Sequence, residues 1–304
     1  MKHLFILLFS IVFWNLENFF DCVDGGYSSS DREFSARGAR HWTRKRYDAK
    51  VAMVSKTLLW AEPRPLAVAV AEVENNRVLK SLIYNDILRK YNYSYVHYDS
   101  KDSRGIDVAL IYDRDSLELV RSYPIPIVDN GDTLRTRDIL YVCLRTRSDA
   151  ELWHLFVNHH PSKYGNSKTS SLRRYAAMNT LARSVDSLLS SSQRKIVAMG
   201  DFNDVPQAET FSVMEGRLVN MGITYLGGAA EIKGSIRFKG EWQLIDNFIV
   251  SDSVAAKSHM EVLAPSFILE RDRQFPGDKP RRTYIGPRYN GGVSDHLPVI
   301  LRYF

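Results

Sequence analysis

Short apolar runs that alternate with longer segments of helical periodicity constrain the fold of this chain more than any other feature. Several of these runs are apolar at consecutive positions, which is typical of strands covered on both faces. They predict strands at residues 6–14, 66–71, 107–112, 152–158, 195–199, 244–250 and 297–303. Apolar residues at helical spacing predict helices over residues 47–59, 75–91 and 171–189. Buried strands between helices predict a layered α/β architecture.

Length and composition suit this architecture. The chain has 304 residues, 44% of them hydrophobic and 25% charged, which is enough for one large α/β domain or two small ones. Neither Cys22 nor Cys143 lies in a CxxC motif or a Cys/His cluster, which argues against a structural zinc site. The net charge of +6 favours anionic partners such as nucleic acid, phosphorylated small molecules or anionic lipid surfaces, without choosing among them.

The N-terminus allows three interpretations. Residues 1–12 begin with a basic residue and continue as an apolar run, like the first part of a secretory signal. No small-residue cleavage site follows, and the run passes directly into Phe13-Trp14-Asn15, as a buried first strand would. A signal-like start that also supplies part of that strand is the third interpretation. The localisation is therefore open between export and the cytoplasm, and the run is too short to predict a stable membrane span.

Two long stretches predict loops. Residues 21–41 are rich in glycine, serine and charge, and residues 270–292 contain prolines, glycines and the basic cluster Lys279-Pro280-Arg281-Arg282. Long loops in a compact domain often have a role in function or recognition, but a disordered or functionless surface loop is an equally good interpretation of each.

Polar and ionisable residues stand directly beside the apolar runs, where they are costly unless they are paired or bind something. They are Asn15 and Glu17 after the first run, Glu72 after the second, Asn158, His159 and His160 around the end of the fourth, Asp201 and Asn203 after the fifth, Asp246 within the sixth, and Asp295 and His296 before the last. Taken singly, each motif also fits a turn, a cap or a core histidine. Their coincidence in one chain predicts a polar cluster over an apolar floor.

The residue types in this cluster suit the hydrolysis of a phosphate ester. Mg²⁺ prefers oxygen ligands, few of them from the protein. A phosphoryl centre also requires an attacking water, a base, and donors for the charge that grows on the phosphate oxygens. The candidate ligands are Glu72, Glu17, Asn15 and Asp295, the candidate base is Asp201, and the candidate donors are Asn203, His159 and His296.

The order of these motifs resembles that of the endonuclease/exonuclease/phosphatase superfamily. The resemblance spans residues 11–304 and rests on Trp14-Asn15-Leu16-Glu17, Ala71-Glu72-Val73, Asn158-His159, Gly200-Asp201-Phe202-Asn203, Ile245-Asp246 and Ser294-Asp295-His296. Residues 15–21, 104–109 and 158–163 are similar to a bacterial branch common in Bacteroidetes. That branch usually has tryptophan where this chain has His160 and arginine where it has Lys163, and both departures lie outside the core set.

This resemblance implies a single domain over residues 1–304 with an α/β fold, namely a four-layer sandwich of two packed mixed β-sheets flanked by helices. It also implies Mg²⁺ or Mn²⁺ as cofactor. Glu72 is then the main metal ligand, helped by Asn15, Glu17 and Asp295.

The same resemblance assigns roles to the other residues of the cluster. Asp201 orients or deprotonates water, and Asn203 positions the phosphate. His296, oriented by Asp246, contacts the scissile phosphate, and His159 contacts it from the other side. The candidate substrate-binding residues are Asn158, Lys163, Arg104 and Arg174.

Superfamily membership leaves the substrate open. Nucleic acid is the leading hypothesis, which makes the protein a nuclease, and a small phosphate ester, either a phosphorylated metabolite or a phospholipid head group, is the alternative. A non-catalytic binding module is a third hypothesis, which the intact set of acids and histidines argues against. A nuclease predicts a basic groove formed by Lys163, Lys168, Arg173, Arg174, Lys279, Arg281 and Arg282, whereas a small substrate predicts basic side chains inside a pocket. We expect a monomer.

Overall fold

The structure is a computed structural model that describes residues 9–163 and 167–304. Its strands, in chain order, are β1 (Phe9–Phe19), β2 (Ala67–Val73), β3 (Tyr93–His97), β4 (Asp107–Asp113), β5 (Leu117–Ile125), β6 (Val128–Asp129), β7 (Asp132–Thr133), β8 (Ile139–Thr146), β9 (Leu152–His159), β10 (Ile196–Asp201), β11 (Val219–Asn220), β12 (Ile236–Phe238), β13 (Glu241–Gln243), β14 (Asp246–Val250), β15 (Ser258–Val262), β16 (Leu269–Arg271), β17 (Asp278–Pro280), β18 (Tyr284–Ile285), β19 (Arg288–Tyr289) and β20 (Val299–Tyr303). Its α-helices are α1 (Ser29–Glu33), α2 (Arg44–Trp60), α3 (Asn76–Ile83), α4 (Ser167–Ser190), α5 (Met221–Gly227) and α6 (Asp252–Ala255), with 3₁₀ turns at Glu209–Met214 and Ser266–Ile268.

The longer strands form two six-stranded sheets. Their strand orders are β15-β20-β1-β2-β4-β3 in the first sheet and β11-β14-β10-β9-β8-β5 in the second. Both sheets are mixed, because β1 pairs in parallel with β2 and antiparallel with β20, and β10 pairs in parallel with β9 and antiparallel with β14. The shorter strands form two-stranded hairpins in the connecting segments.

The alternation of side chains along β1 shows how the layers pack. Ile11 and Phe13 point into the core between the two sheets, whereas Val12 and Trp14 point to the opposite face and pack with residues of α2 and α3. On the far side of the second sheet, Leu181 of α4 packs with residues of β10. The arrangement of helices, sheet, sheet and helix confirms the predicted four-layer α/β sandwich.

The predicted helix over residues 75–91 is wrong in its second half. The helix, α3, ends at Ile83, and Asn85 then accepts hydrogen bonds at its side-chain oxygen from the backbone N–H groups of Ile87 and Leu88, at 2.8 and 3.2 Å. This local side-chain bonding stabilises a turn in competition with a continued helix. Two further differences are that the strand predicted at residues 244–250 begins at Asp246 and that the one predicted at residues 297–303 begins at Val299.

Several elements have no counterpart in the sequence prediction. The predicted loop over residues 21–41 contains α1, and the one over residues 270–292 contains the β18–β19 hairpin and β17, which pairs with β16. Five further sheet strands, β3, β5, β8, β11 and β15, were not predicted. β5 lies at the edge of its sheet with much of its length exposed, so its sequence lacks the apolar pattern of a buried strand.

The described part of the N-terminal run is strand. Residues 9–12 lie inside β1, near the middle of the first sheet, and residues 1–8 of the run lie outside the described residues. Within residues 9–163 and 167–304, no helix combines the length and the apolar character that crossing a membrane requires.

Candidate active site

Strands from both sheets end at one place and bring the polar cluster together. In the second sheet, Asp201 at the end of β10 pairs with His159 at the end of β9 and with Asp246 at the start of β14. In the first sheet, Asn15 of β1 pairs with Ala71, the residue before Glu72. The carboxamide of Asn15 connects the two sheets, because its Nδ2 donates a hydrogen bond to Asp201 Oδ2 at 3.0 Å.

The segment before β20 is fastened to β1, which fixes His296 over the cluster. Ser294 Oγ donates to the carbonyl of Asn15 at 2.6 Å and accepts from the backbone N–H of His296 at 3.0 Å. Trp14 Nε1 donates to the carbonyl of His296 at 2.8 Å. Two adjacent residues of β1, Trp14 and Asn15, therefore hold this segment in place.

His296 and Asp246 form a buried pair that faces Asp201. The distance from His296 Nδ1 to Asp246 Oδ2 is 2.7 Å, and His296 Nε2 lies 3.9 Å from Asp201 Oδ2. Burial alone lowers the pKa of the His296 imidazole, but the neighbouring carboxylates, Asp246 first, raise it well above its ordinary value. Burial, followed by the charge of Asp246, raises the pKa of Asp201 to about 7. The imidazole therefore carries a proton, and Asp201 is poised to exchange one near neutral pH.

His159 lies on the other side of Asp201. Its Nε2 is 3.7 Å from Asp201 Oδ2 and 3.8 Å from Glu72 Oε1, so it sits between the two carboxylates. Burial, and then the positive charge of Arg137, lowers the pKa of this imidazole well below its ordinary value, which keeps the ring neutral. The adjacent His160 instead packs edge-on against Phe202. Of the two neighbouring histidines, His159 thus faces the cluster, and its contact with the phosphate stays a prediction.

The acidic part of the cluster contains an arginine that the sequence analysis did not place there. Arg282 Nε donates to Glu17 Oε1 at 3.0 Å, and its Nη2 lies 2.9 Å from Asp295 Oδ2, so one guanidinium bridges two candidate metal ligands. The other oxygen of Glu17 accepts the backbone N–H of Thr283 at 2.7 Å. Glu72 is held by the backbone N–H of Asn18, which donates to its Oε2 at 2.7 Å.

Burial, followed by the nearby charge of Asp295, raises the pKa of Glu17 to about 7. A fully buried lysine, Lys50 of α2, lies beneath this carboxylate and donates to the backbone carbonyl of Glu17 at 2.8 Å. Burial lowers the pKa of Lys50 to about 8. The acids are thus crowded and poorly solvated, a condition that a bound cation relieves.

Four residues at the cluster have left-handed backbone conformations although none is glycine. The φ angles are 45° at Glu17, 49° at Asn18, 60° at Glu72 and 51° at Asn203. The register of the β2–β4 pairing also shifts between Ala71 and Val73, so Glu72 stands out from the strand. Such conformations cost free energy and are concentrated at functional sites, where the surrounding structure holds them.

Asn203 follows Asp201 in a tight turn. Its backbone N–H donates to Asp201 Oδ1 at 2.9 Å, and its Nδ2 donates to the carbonyl of His160 at 3.0 Å. The turn therefore fixes the carboxylate of Asp201 and ties the ends of β9 and β10 to each other.

The predicted substrate-binding residues occupy different surroundings. Arg104 lies at the cluster, with Nη1 3.7 Å from Glu72 Oε1. Asn158 is fully buried and donates to the carbonyls of Phe156 and Met199, so its side chain is turned to the backbone. Lys163 and Arg174 both bind Asp204, at 2.9 and 3.1 Å. For Asn158, Lys163 and Arg174, direct contact with a substrate stays a prediction that these surroundings do not favour.

Arg137 and Lys50 shape the site but were not among the residues predicted from the sequence, and Arg282 was predicted only for a nucleic-acid groove. Arg137 donates to the carbonyl of His160 through Nη2 at 2.8 Å. Arg282 had a signal, since it lies in the basic cluster of residues 279–282, but nothing nearby in sequence identified its partners. Lys50 had a weaker signal, because its charge interrupts an otherwise amphipathic helix.

The donor set fits a hard divalent cation. Glu72, Glu17, Asn15 and Asp295 offer only oxygen atoms, and the crowding of Glu17 with Asp295 supplies negative charge. A second group, Asp201, Asp246 and His296, has ligand atoms within 4.8 Å of one another. In that group the short His296–Asp246 hydrogen bond already uses one carboxylate oxygen and one ring nitrogen, and in the first set Arg282 and Thr283 already bond both oxygens of Glu17. The ligand type, oxygen without nitrogen, is therefore what favours the first set for a hard cation.

Two buried polar atoms at the centre have no hydrogen-bond partner within the described parts of the chain. They are His159 Nδ1 and Asp246 Oδ1. An unsatisfied buried polar atom is costly and is usually explained by a water or a function.

The fold, the order of the motifs and this geometry define a phosphoesterase-like site, and comparison with known proteins gives the family. Residues 10–303 match the endonuclease/exonuclease/phosphatase family, and the chain belongs to it. Members of this family are phosphoester hydrolases. No curated protein matches the chain in sequence.

Solved structures with the same fold are distant in sequence. An endonuclease/exonuclease/phosphatase from Bacteroides vulgatus is 14% identical, with a TM-score of 0.62, and the match covers 98% of each chain. A mannosyl-6-phosphatase from Bacteroides thetaiotaomicron is 17% identical, with a TM-score of 0.60, over 97% of this chain and 100% of the other. TDP2 from Caenorhabditis elegans is 14% identical, with a TM-score of 0.61, over 98% of each chain. At these identities the likeness establishes the fold and leaves the substrate open.

Proposed function

We propose that the protein is a divalent-metal-dependent hydrolase that cleaves the phosphate ester of a small phosphorylated molecule. The observation that carries the proposal is the convergence of a charged and a neutral imidazole on one carboxylate. Asp201 Oδ2 lies 3.9 Å from Nε2 of His296 and 3.7 Å from Nε2 of His159. This combination supplies a base for water and donors for the phosphate oxygens.

Each residue of this group has a defined task in the proposed reaction. Asp201, with its raised pKa, accepts a proton from the attacking water, while Asn15 fixes its orientation. The protonated His296, held by Asp246, donates a hydrogen bond to the scissile phosphate. His159 binds the phosphate from the opposite side as a neutral ring. Donors arranged in advance stabilise the developing charge without reorganisation.

Glu72, with Asn15, Glu17 and Asp295, would hold Mg²⁺ or Mn²⁺. A divalent cation at these oxygens would neutralise charge on the phosphate and on the leaving oxygen. Glu17 and Glu72 both have left-handed backbone conformations, which are concentrated at functional sites. Arg282 holds the orientation of Glu17 and Asp295.

The surroundings of the basic side chains favour a small substrate over nucleic acid. Of the residues predicted to line a nucleic-acid groove, Lys163 and Arg174 bind Asp204, and Lys279 lies 3.5 Å from Asp272. Arg281 donates to the carbonyl of Asn290, and Arg282 bridges the acids. Arg173 is exposed without an ion pair to any described side chain, and the side chain of Lys168 lies outside the described residues. The net charge of +6 keeps a nuclease as the second candidate.

An activity screen tests both candidates. Purified protein with Mg²⁺ or Mn²⁺ would be assayed on p-nitrophenyl phosphate, bis-p-nitrophenyl phosphate, sugar phosphates, plasmid DNA and RNA. We expect hydrolysis of a small phosphate ester that disappears in the Asp201→Asn variant. Cleavage of polynucleotides alone would support the nuclease, and inactivity on every phosphate ester would refute the proposed function.

A further inference from the structure

A pocket of about 670 Å³ opens beside the active site and is strongly basic. Four arginines line it, together with one aspartate, Asp102, and several neutral residues. The arginines are Arg104, Arg135, Arg137 and Arg173. Its volume lies in the range of about 300–1,000 Å³ that is usual for small-ligand sites. A pocket with this excess of positive charge attracts an anion.

This pocket and the catalytic cluster share a wall. Arg104 lies between them, with Nη1 3.7 Å from Glu72 Oε1. Pro161 and Ser162, which follow the histidines at the end of β9, also line the pocket. A ligand seated there can therefore extend to the scissile position.

Arg137, which lines the pocket, is buried and fixed in place by its hydrogen bonds. Its side chain is 7% exposed, and it lies 2.9 Å from Asp102 through Nη1 and donates to the carbonyl of His160 through Nη2 at 2.8 Å. The same carbonyl accepts Nδ2 of Asn203. The remaining guanidinium nitrogen, Nε, is buried without a hydrogen-bond partner in the described part of the protein. A buried, unsatisfied donor on an arginine calls for an acceptor.

Arg135 and Arg173 supply charge that nothing nearby neutralises. Both are exposed, and neither forms an ion pair with any side chain that the structure describes. Lys163 and Arg174, in contrast, share the carboxylate of Asp204. The uncompensated positive charge close to the catalytic cluster is thus concentrated in the pocket.

We propose that this pocket binds a second anionic group, a phosphate or a carboxylate, on the same small molecule whose phosphate ester is cleaved. The proposal rests on the proposed function and narrows its substrate class to small molecules with two anionic groups. Arginine suits this task because its planar fork donates two parallel hydrogen bonds to phosphate or carboxylate oxygens. Arg135 and Arg173 bind the second group directly, and Arg104 separates it from the scissile phosphate.

The first experiment measures binding without catalysis. Inorganic pyrophosphate would be titrated by calorimetry into metal-free protein in EDTA, for the wild type and the double variant Arg135→Gln/Arg173→Gln. The matched control is Arg183→Gln/Arg194→Gln, which also removes two exposed arginines, one in the middle of α4 and one before the start of β10. We expect at least about tenfold weaker binding in the pocket variant, since charge-assisted hydrogen bonds are lost, and unchanged binding in the control. Equal affinity in both variants would overturn the proposal.

The second experiment compares substrates of one scaffold, glucose 6-phosphate and glucose 1,6-bisphosphate, with Mg²⁺. In the pocket variant, the KM for the bisphosphate should rise about tenfold while the KM for the monophosphate changes less than about twofold. An equal change for both substrates overturns the second-anion subsite. Weaker pyrophosphate binding in the pocket variant, together with a wild type that is inactive on every phosphate ester of the activity screen, supports the subsite and refutes the proposed function, so the two failures are distinguishable.

A third measurement tests whether the second anionic group is instead a phosphate of a nucleic acid. Single-stranded oligonucleotides of increasing length would be titrated into the wild type and the pocket variant at several salt concentrations. Affinity that rises with length and is lost in the pocket variant would overturn the small-molecule assignment in favour of a polynucleotide. Negligible affinity at physiological salt supports it.

Discussion

Two groups of acids at the active site are neutralised by cations of different kinds. Asp246 is paired with the imidazole of His296, whereas Glu17 and Asp295 are bridged by the guanidinium of Arg282. An ordinary imidazole titrates in the physiological range, so the charge of His296 depends on its carboxylate partner, whereas a guanidinium stays charged whatever its neighbours are. We infer that the first pair takes part in the chemistry and that the second holds the geometry of the acids. We therefore expect similar ion pairs at one site to serve different tasks.

Removal of the metal should have the largest effect, because the cation would neutralise charge that develops on the phosphate and the leaving oxygen. Chelation with EDTA should abolish hydrolysis, and Mg²⁺ or Mn²⁺ should restore it. Glu72→Ala should weaken metal binding, measured by titration of Mn²⁺ with electron paramagnetic resonance detection. Full activity after exhaustive chelation, or the same Mn²⁺ titration for wild type and variant, would contradict the metal assignment.

Asp246→Asn should have the next largest effect, because it removes the charge that keeps His296 protonated and oriented. We expect kcat to fall by roughly 10²–10³-fold with little change in KM, which is the scale of a misplaced acid–base group. Steady-state kinetics on the preferred ester would measure this loss.

A matched control for that variant is Asp113→Asn. Asp113 is as deeply buried, and it pairs with Arg64 at 2.8 Å, far along the chain from the catalytic motifs. This control should lower the free energy of unfolding and leave kcat close to the wild-type value. If both variants lost kcat equally, Asp246 would have only a structural role.

Arg282→Gln tests the second group of acids, Glu17 and Asp295, which this arginine bridges. The variant leaves Glu17 and Asp295 without their bridge, so the metal-free protein should unfold more easily, by about 1 kcal/mol for this half-exposed arginine. Because the two acids without their arginine then attract a cation more strongly, Mn²⁺ should raise the melting temperature of the variant more than that of the wild type. An equal rise of the melting temperature in both proteins would show that Arg282 does not compete with the cation. A loss of kcat as large as that of Asp246→Asn would show that the two groups of acids do not differ in their task.

The sequence predicted the acids and histidines of the site because each stands next to an apolar run, and runs of that kind end at one edge of a layered sheet. It did not predict the partners of Arg282, which bonds to a residue 265 positions away, because a loop's path cannot be read from local periodicity. Lys50 illustrates the same limit, since its burial depends on the carbonyl of Glu17 and on Thr283 from a distant segment. Local sequence patterns therefore predict where the strands end, whereas tertiary packing determines which charged side chains come into contact there.

Lys163→Gln should have the smallest effect. This variant extends the comparison of paired acids to a third one, Asp204. Lys163 is half-exposed and lies 2.9 Å from Asp204 Oδ1, while the buried Arg174 and the hydroxyl of Thr210 bind the other oxygen. Because Arg174 still neutralises the acid, losing Lys163 should cost about 0.5 kcal/mol of stability and change kcat/KM by less than about twofold. Chemical denaturation and steady-state kinetics would measure both quantities. A tenfold rise in KM with unchanged stability would instead mean that Lys163 leaves Asp204 to bind the substrate, as the sequence alone predicts.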